Sequence, residues 1–314
     1  MTTIASLGRR KLGRRGPEVT RLGLGGAPLG NMFTTVADED AHATVDAAWN
    51  AGIRYFDTAP FYGHGLAEQR LGAGLAGRQR DDYVVSTKVG RVLEPSPGAD
   101  TSIFKIEPDL AAVFDYSRDG VLRSFEASLS RLGLDRVDVV LVHDPDSHED
   151  DALSGAFPAL VELREQGVVR AIGAGMNQSA MLQRFVERVD LDCVLLAGRY
   201  TLLDRSGTAL LDLCAERSVG VIIGGVFNSG VLAQPDPAAT YDYWPAPPAT
   251  VDAAQRYEQV ARGHDVPLPA LALQFALRHP AVTSVVVGAR TAAEITFDAT
   301  CATHPIPATA WTQL

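Results

Sequence analysis

Short apolar runs alternate with amphipathic segments along the whole chain, and this alternation is the feature that most restricts its fold. We predict eight strands from these runs, over residues 19–27, 54–59, 83–89, 137–143, 169–175, 191–197, 219–227 and 283–289. The runs are almost continuously apolar rather than alternating between apolar and polar residues, which indicates strands buried on both faces, as in a parallel sheet. Eight strand–helix units in one chain favour a (β/α)8 barrel.

Amphipathic segments between the strands predict the helices of this barrel. Clear examples cover residues 41–50, 66–75, 120–132, 157–166 and 209–216. In the third of these, Val121, Phe125 and Leu129 recur at near-helical intervals. Glycine follows four of the segments, as it commonly does where a helix ends, at Gly52, Gly77, Gly133 and Gly167.

The length of 314 residues gives a prior of two domains at about 150 residues each, so a doubly wound sheet with a second domain is the competing arrangement. No linker rich in proline, glycine and serine divides the chain. The segment LGLGGAPLG at 22–30 is followed by NMFTTV rather than by a helix, so it is a weak dinucleotide-binding fingerprint. We therefore expect one barrel domain over residues 1–314.

Two insertions interrupt the strand–helix pattern. Residues 91–115 separate the third strand from its helix, and residues 228–249 follow the seventh strand. Both leave the carboxyl ends of strands, where barrels place their active sites. Long loops there typically act as lids or substrate walls, with surface decoration as the alternative. Before the first strand, RRKLGRRGPEV at 9–19 contains a Gly-Pro turn and predicts a small β-hairpin.

Composition narrows the partners and the location of the protein. A net charge of −10 disfavours nucleic acid as a partner, and we interpret the basic cluster at 9–15 as a solvated turn. Three widely spaced cysteines without CxxC spacing predict reduced thiols, no cysteine-type zinc site and a cytoplasmic location. No signal peptide or membrane span is predicted from the apolar runs. A monomer is the default, because no apolar stripe indicates an interface.

Ionisable side chains mark the predicted carboxyl ends of three neighbouring strands, at Asp57, Lys88 and His143. Lys88 is one of only three lysines and stands within the apolar run YVVSTKVG, so it needs an anionic partner, for which Asp57 is the natural candidate. Tyr62 follows Asp57, and the usual phenol pKa of about 10 is too high for efficient proton transfer at neutral pH. We expect Lys88 to lower this pKa and His143 to orient the hydroxyl. Each residue alone is compatible with simple packing, but together they form a proton-transfer site.

These residues lie in motifs that resemble the catalytic motifs of aldo-keto reductases. FDTAPFYGHGLAEQRLG, STKVG and VLVHDPD contain the four residues in order, and the resemblance extends over nearly the whole chain. It implies a (β/α)8 barrel and hydride transfer with a nicotinamide cofactor. It also implies that Tyr62 is the general acid and base, that Lys88 and Asp57 form its tuning ion pair, and that His143 orients the substrate.

The same resemblance implies a set of cofactor-binding residues. After the fifth strand, Gly175 and Met176 replace the usual carboxamide-binding serine and asparagine, which leaves Asn177 as a substitute. After the seventh strand, the usual nicotinamide-stacking tyrosine is Gly224, which leaves stacking to Phe227, and backbone amides of the following loop are expected to meet the pyrophosphate. The predicted set is Asn177, Phe227, Asn228, Ser229, Gly230, Leu232, Gly288, Arg290 and Glu294.

The choice between NAD and NADP depends on the segment GARTAAE at 288–294, which resembles the family's stretch near the adenosine ribose. NADP-preferring members commonly carry a basic residue one helical turn past this loop, where this chain has Glu294. A carboxylate repels a 2′-phosphate and accepts hydrogen bonds from free ribose hydroxyls. Arg290 has the opposite effect, because its positive charge attracts a 2′-phosphate. We predict NAD as the cofactor, with NADP as the alternative.

One branch of the family is especially similar. IGAGMNQ, VHDPD and the terminal IPATAW resemble aldose 1-dehydrogenases that act on L-fucose or D-threo-aldoses, and also pyridoxal 4-dehydrogenases. Both oxidise a cyclic hemiacetal to a lactone, so Tyr62 as phenolate would remove the hydroxyl proton while hydride passes to the nicotinamide. A general aldehyde or ketone reductase is a further alternative. Aromatic residues on the predicted loops are the expected contacts for a sugar or pyridoxal-like substrate, at Phe33, Phe61, Tyr241, Tyr243 and Trp244.

Two other classes of function are the remaining alternatives. The segment HDPDSHEDD at 143–151 is dense in oxygen and imidazole ligands and could be a hydrolase metal site. One short loop cannot easily direct all of these groups at one ion, and its acidic residues suit a helix start, so we expect no metal. Some family members act chiefly as cofactor-sensing subunits of larger assemblies, whereas the complete set of four catalytic residues favours turnover.

Overall fold

A closed barrel of eight parallel strands forms the centre of the computed structural model, which describes residues 8–101, 103–107 and 109–314. The described strands are β1 (Arg9–Lys11), β2 (Glu18–Thr20), β3 (Leu22–Gly25), β4 (Tyr55–Asp57), β5 (Val84–Val89), β6 (Arg91–Pro95), β7 (Leu110–Phe114), β8 (Val139–His143), β9 (Ala171–Met176), β10 (Cys193–Ala197), β11 (Gly220–Gly224), β12 (Thr240–Tyr241), β13 (Trp244–Pro245) and β14 (Val282–Gly288). In the barrel, β3, β4, β5, β8, β9, β10, β11 and β14 pair in chain order, and β14 closes the ring on β3. The predicted (β/α)8 barrel is confirmed, and each predicted strand overlaps one barrel strand.

Helices surround the barrel. They are α1 (Asp38–Asn50), α2 (Leu66–Leu75), α3 (Arg118–Leu132), α4 (Glu149–Asp151), α5 (Phe157–Glu165), α6 (Ser179–Arg188), α7 (Thr208–Arg217), α8 (Pro248–Gly263), α9 (Leu268–Leu277), α10 (Ala292–Thr303) and α11 (Ala308–Trp311). In α3, the Ser117 side chain caps the first turn by accepting a hydrogen bond from the backbone amide of Gly120. Val121 and Phe125 are buried on its inner face, and the helix ends at Gly133 in the left-handed conformation.

The predicted N-terminal hairpin is confirmed as β1 and β2, and it closes the amino-terminal end of the barrel. Leu12 and Val19 are buried against side chains of the barrel interior. Arg14 and Arg15 of the basic cluster form ion pairs with Asp190, and both arginine side chains are exposed, as a solvated turn requires. The hairpin therefore leaves only the carboxyl ends of the strands open to a ligand.

Both predicted insertions lie at this carboxyl end. The first contains the antiparallel pair β6 and β7, and its positions 102 and 108 lie outside the described residues. The second contains the short pair β12 and β13. Among the helices of the described chain, none is both long and apolar enough to span a membrane.

Candidate active site

A buried ion pair joins two neighbouring barrel strands. Lys88 on β5 donates from Nζ to Oδ2 of Asp57 at the end of β4, over 2.7 Å, and to the backbone carbonyl of Thr58 over 2.9 Å. Both charged side chains are at most 2% exposed. Burial lowers the pKa of Lys88, but the negative charge of Asp57 and a hydrogen bond with Tyr62 outweigh it, so the pKa is raised and the ammonium stays charged.

Two further residues hold the Asp57 carboxylate, and the sequence reasoning missed them. Ser86 donates from Oγ to Oδ1 of Asp57 over 2.7 Å, and the Tyr55 hydroxyl is 3.0 Å from the same Oγ. Both oxygens of the carboxylate are therefore engaged. Strand periodicity could have indicated Ser86, because residues two apart on a strand share a face and Ser86 precedes Lys88 by two.

Tyr62 is carried by a tight loop after β4. The loop passes close to the segment after β3, where a Cβ on Gly30 would be 2.6 Å from the backbone nitrogen of Gly63, so glycine is required at this crossing. Gly63 itself has a φ of 61°. The crossing directs Tyr62 inward, with its ring centroid 4.6 Å from Nζ of Lys88.

Lys88 lowers the pKa of Tyr62, as predicted, but the overall shift is upward. Burial raises this pKa to about 12, because desolvation of the phenolate outweighs the lowering by the Lys88 ammonium, and the Asp57 carboxylate raises it further. The sequence indicated the neighbouring cation but not the depth of burial. In the protein without ligands the Tyr62 hydroxyl is therefore protonated at neutral pH.

His143 at the end of β8 completes the predicted group of four. Its ring centroid is 5.8 Å from that of Tyr62, with the two planes perpendicular. Burial, and then the positive charges of Arg91 and Lys88, hold the pKa of His143 well below its ordinary value. The imidazole is therefore neutral and can donate from one ring nitrogen and accept at the other. Within the described chain, its buried Nδ1 has no hydrogen-bond partner.

These four residues line one end of a cavity of about 1010 Å³ that extends across the carboxyl end of the barrel. Most of the predicted cofactor residues line it as well, namely Asn177, Phe227, Ser229, Gly230, Gly288, Arg290 and Glu294. Four of the five predicted substrate residues also line it, namely Phe33, Phe61, Tyr243 and Trp244. Tyr243 forms a hydrogen bond with Asn177, and its ring centroid lies 6.2 Å from that of Phe33.

The side chains of three predicted contact residues do not line this cavity, whereas the backbone contact predicted for the loop after β11 stays a prediction. The Asn228 side chain is buried and donates to the carbonyl of Gly198 over 3.2 Å, while Leu232 is fully buried in the core beside α8 and α9. Tyr241 packs against the same core. The loop after β11 turns sharply at 228–230, and the backbone reverses again at Asp242, so neighbouring side chains lie on opposite sides of the loop.

A second charged pair, Arg91 and Asp144, lines the catalytic end of the cavity and was not predicted as part of the site. Nη2 of Arg91 donates to Oδ2 of Asp144 over 2.8 Å. Burial raises the pKa of Asp144 to about 6, although Arg91 lowers it. Two carboxylates of the segment considered as a metal site thus have arginine partners, since Glu149 pairs with Arg184. Across the described ranges, no group of three or more His, Cys, Asp or Glu side chains is arranged to hold a metal ion.

Comparison with known proteins agrees with this geometry. The sequence is 46% identical over 309 residues to a D-threo-aldose 1-dehydrogenase of a Pseudomonas species, covering 95% of this chain and 94% of that protein. It is 41% identical to a pyridoxal 4-dehydrogenase of Microbacterium luteolum, covering 98% and 96%. The solved holo form of an aldo-keto reductase from Bacillus halodurans matches with a TM-score of 0.76 at 26% identity, covering 98% of this chain and 95% of that one. The profile of the Aldo/keto reductase family matches residues 21–314, so this chain belongs to the aldo/keto reductase family of oxidoreductases.

Proposed function

We propose that this enzyme oxidises the anomeric hydroxyl of an aldose, of the L-fucose or D-threo type, to a lactone by transferring hydride to NAD. The observation that carries the proposal is the placement of Tyr62 beside Lys88 and His143 at one end of a large cavity. Similarity to a D-threo-aldose 1-dehydrogenase supports the substrate class.

The cavity fits a dinucleotide together with a small substrate. Its volume of about 1010 Å³ is at the upper end of the range of roughly 300–1,000 Å³ for small-molecule pockets. Gly175 and Gly224 have no side chain and so leave space along the barrel end. Glycine is also required at position 288, because a Cβ there would approach the Pro28 side chain to 2.7 Å. In the turn at 228–230, Ser229 has a left-handed backbone, and such turns present amide groups that bind anions. We assign this turn to the pyrophosphate.

The side chains of the site provide for each hydrogen that leaves the sugar in this oxidation. A bound nicotinamide supplies the hydride acceptor. C1 of the sugar loses its hydrogen as hydride, the hydroxyl proton passes to the Tyr62 phenolate, and the C1–O bond becomes the carbonyl of the lactone. The Lys88 ammonium stabilises the phenolate, and neutral His143 binds the reacting oxygen. In reduction the same groups act in reverse, with Tyr62 as the acid.

The preference for NAD rests on acidic side chains at the far end of the cavity. Arg290 forms an ion pair of 2.8 Å with Glu294, so its charge is balanced within the protein. Asp298 lines the same end, and burial raises its pKa to about 7. A 2′-phosphate would meet these carboxylates and break the ion pair. Comparing KM for NAD and NADP tests this proposal, and an NADP preference that Arg290→Ala abolishes would contradict it.

Pyridoxal is the second candidate substrate. The rings of Phe61 and Phe104 lie 5.2 Å apart and line the cavity beside Tyr62, where an aromatic substrate could pack. The similarity to a pyridoxal 4-dehydrogenase supports this alternative.

The deciding experiment follows NADH formation from NAD with L-fucose, D-arabinose, other aldoses and pyridoxal. We expect turnover of aldoses with lactone as the product. Turnover of pyridoxal but of no aldose would show that the substrate is pyridoxal rather than a sugar. Tight NAD binding without turnover of either class would favour a cofactor-sensing subunit.

We also propose a cytoplasmic monomer. The three cysteines are unpaired and buried, which is compatible with a reducing compartment. Analytical ultracentrifugation tests the oligomeric state, and a concentration-independent dimer would contradict the proposal.

A further inference from the structure

The Arg91–Asp144 pair stands directly beside the catalytic strand ends. Arg91 opens β6, two residues after the end of β5, and Asp144 follows His143 at the end of β8. Oδ2 of Asp144 accepts from Arg91 over 2.8 Å and lies 3.4 Å from Nε2 of His143. The two side chains are 12% and 29% exposed, and both line the cavity.

An unusual backbone conformation holds Asp144 in this position. Its φ of 43° is in the left-handed region, which residues other than glycine seldom adopt. The hydroxyl of buried Tyr116 donates to the carbonyls of His143 and Asp144, over 2.7 and 2.9 Å, and the Asp144 amide donates to the carbonyl of Gly175 over 3.1 Å. Strained residues held by several contacts are concentrated at functional sites. Here the strain places a carboxylate in the cavity.

Arg91 is held between aromatic rings and keeps hydrogen-bond donors that have no partner in the described chain. Its guanidinium carbon lies 4.0 Å from the ring centroid of Phe61 and 4.8 Å from that of Phe114. Its buried Nε has no hydrogen-bond partner within the described chain. Nη2 engages Oδ2 of Asp144, which leaves further N–H groups of Arg91 and the second carboxylate oxygen available to a ligand.

We propose that Arg91 and Asp144 form a hydroxyl-binding site that holds two adjacent hydroxyls of the sugar while C1 lies at Tyr62. This inference rests on the proposed oxidation of an aldose. The carboxylate accepts a hydrogen bond from one hydroxyl and the guanidinium donates to the next. The pair therefore suits two neighbouring hydroxyls, each of which can donate and accept a hydrogen bond. A site with such desolvated groups selects against substrates that lack the hydroxyls, because the remaining N–H groups of Arg91 and the second oxygen of Asp144 then have no hydrogen-bond partner in the complex. The pair therefore determines specificity, and the chemical step remains with Tyr62.

The test uses Asp144→Asn and Arg91→Lys. Asparagine tolerates the left-handed backbone, so the first variant preserves the local fold while removing the charge. The second retains a positive charge but removes the planar fork of donors. Arg118→Met, in an exposed ion pair with Glu162 away from the cavity, is the matched control. Kinetics are measured with L-fucose and 2-deoxy-L-fucose in oxidation, and with butanal, which has no hydroxyl, in reduction.

We expect each site variant to lower kcat/KM for L-fucose by about 10- to 100-fold, mainly through KM, because a charge-assisted hydrogen bond is lost. The loss of kcat/KM for butanal reduction is smaller than the loss for L-fucose oxidation, and the preference of the wild type for L-fucose over its 2-deoxy analogue shrinks in the variants. Equal losses with L-fucose and butanal would overturn the hydroxyl-binding role, since a structural defect would affect both. A wild-type enzyme that reduces butanal but oxidises no aldose would overturn the proposed function, and this inference with it.

Discussion

Replacing Lys88 by methionine tests the buried ion pair on which the site depends. Lys88 and Asp57 are at most 2% exposed and 2.7 Å apart. Without the ammonium, the Asp57 carboxylate remains buried, and among the described residues the Ser86 hydroxyl is then its only side-chain donor. Leaving one charge of a buried pair without its partner costs about 3–5 kcal/mol of unfolding free energy. The pKa of Tyr62, raised to about 12 even with Lys88 present, rises further, so turnover is lost as well.

The double variant Asp57→Asn/Lys88→Met separates stability from catalysis. With both charges removed, no unpaired charge is buried, so most of the lost free energy of unfolding returns. Turnover does not return, because Tyr62 still has no ammonium beside it. Urea unfolding followed by circular dichroism measures the first quantity, and NADH formation measures the second. A loss below about 1 kcal/mol for Lys88→Met, or turnover by the double variant, would refute the reasoning.

Four further predictions concern the proton transfer, the pH dependence and the choice of cofactor. Tyr62→Phe should abolish turnover while leaving the Kd for NAD, measured by fluorescence titration, within about threefold of wild type; a retained rate would remove Tyr62 from the proton transfer. Because the pKa of Tyr62 is about 12, the phenolate fraction grows with pH, and kcat/KM for oxidation should rise about tenfold per unit from roughly pH 7 to 9; a flat profile would contradict this. Because the pKa of Asp144 is about 6, its carboxylate is lost as pH falls through that value. In the wild type, kcat/KM for aldoses should therefore fall more steeply below this pH than protonation of Tyr62 alone explains, and Asp144→Asn should lack this additional fall. Glu294→Gln should improve kcat/KM with NADP by about tenfold, with NAD little changed; no gain would show that Glu294 does not select the cofactor.

The sequence predicted the barrel because its signals are local. Continuous apolar runs mark the strands, near-helical spacing marks helices such as α3, and glycines mark helix ends such as Gly133. Asp57, Lys88 and His143 were found because strand ends meet on one side of a parallel barrel. Tyr62 was found because it follows Asp57 closely.

The remaining features depend on tertiary contacts that spacing does not encode. The raised pKa of Tyr62 comes from burial, and Phe104, which is distant in sequence, lies beside its ring at 6.3 Å between centroids. Arg91 and Asp144 are 53 residues apart and meet only because an inserted hairpin folds over the barrel end. Leu232 and Tyr241 lie in the long insertion after β11, whose turns decide which side chains enter the core, and such a segment has no fixed periodicity that could predict this.

The transfer of deuterium from an aldose labelled at C1 tests the central claim most directly. L-fucose carrying deuterium at C1 is incubated with the enzyme and NAD, and the products are analysed by mass spectrometry and NMR. The proposed mechanism predicts one deuterium in each NADH, a lactone without deuterium at C1, and neither product with Tyr62→Phe. NADH formed without deuterium, with the label released to the solvent instead, would contradict hydride transfer from the anomeric carbon.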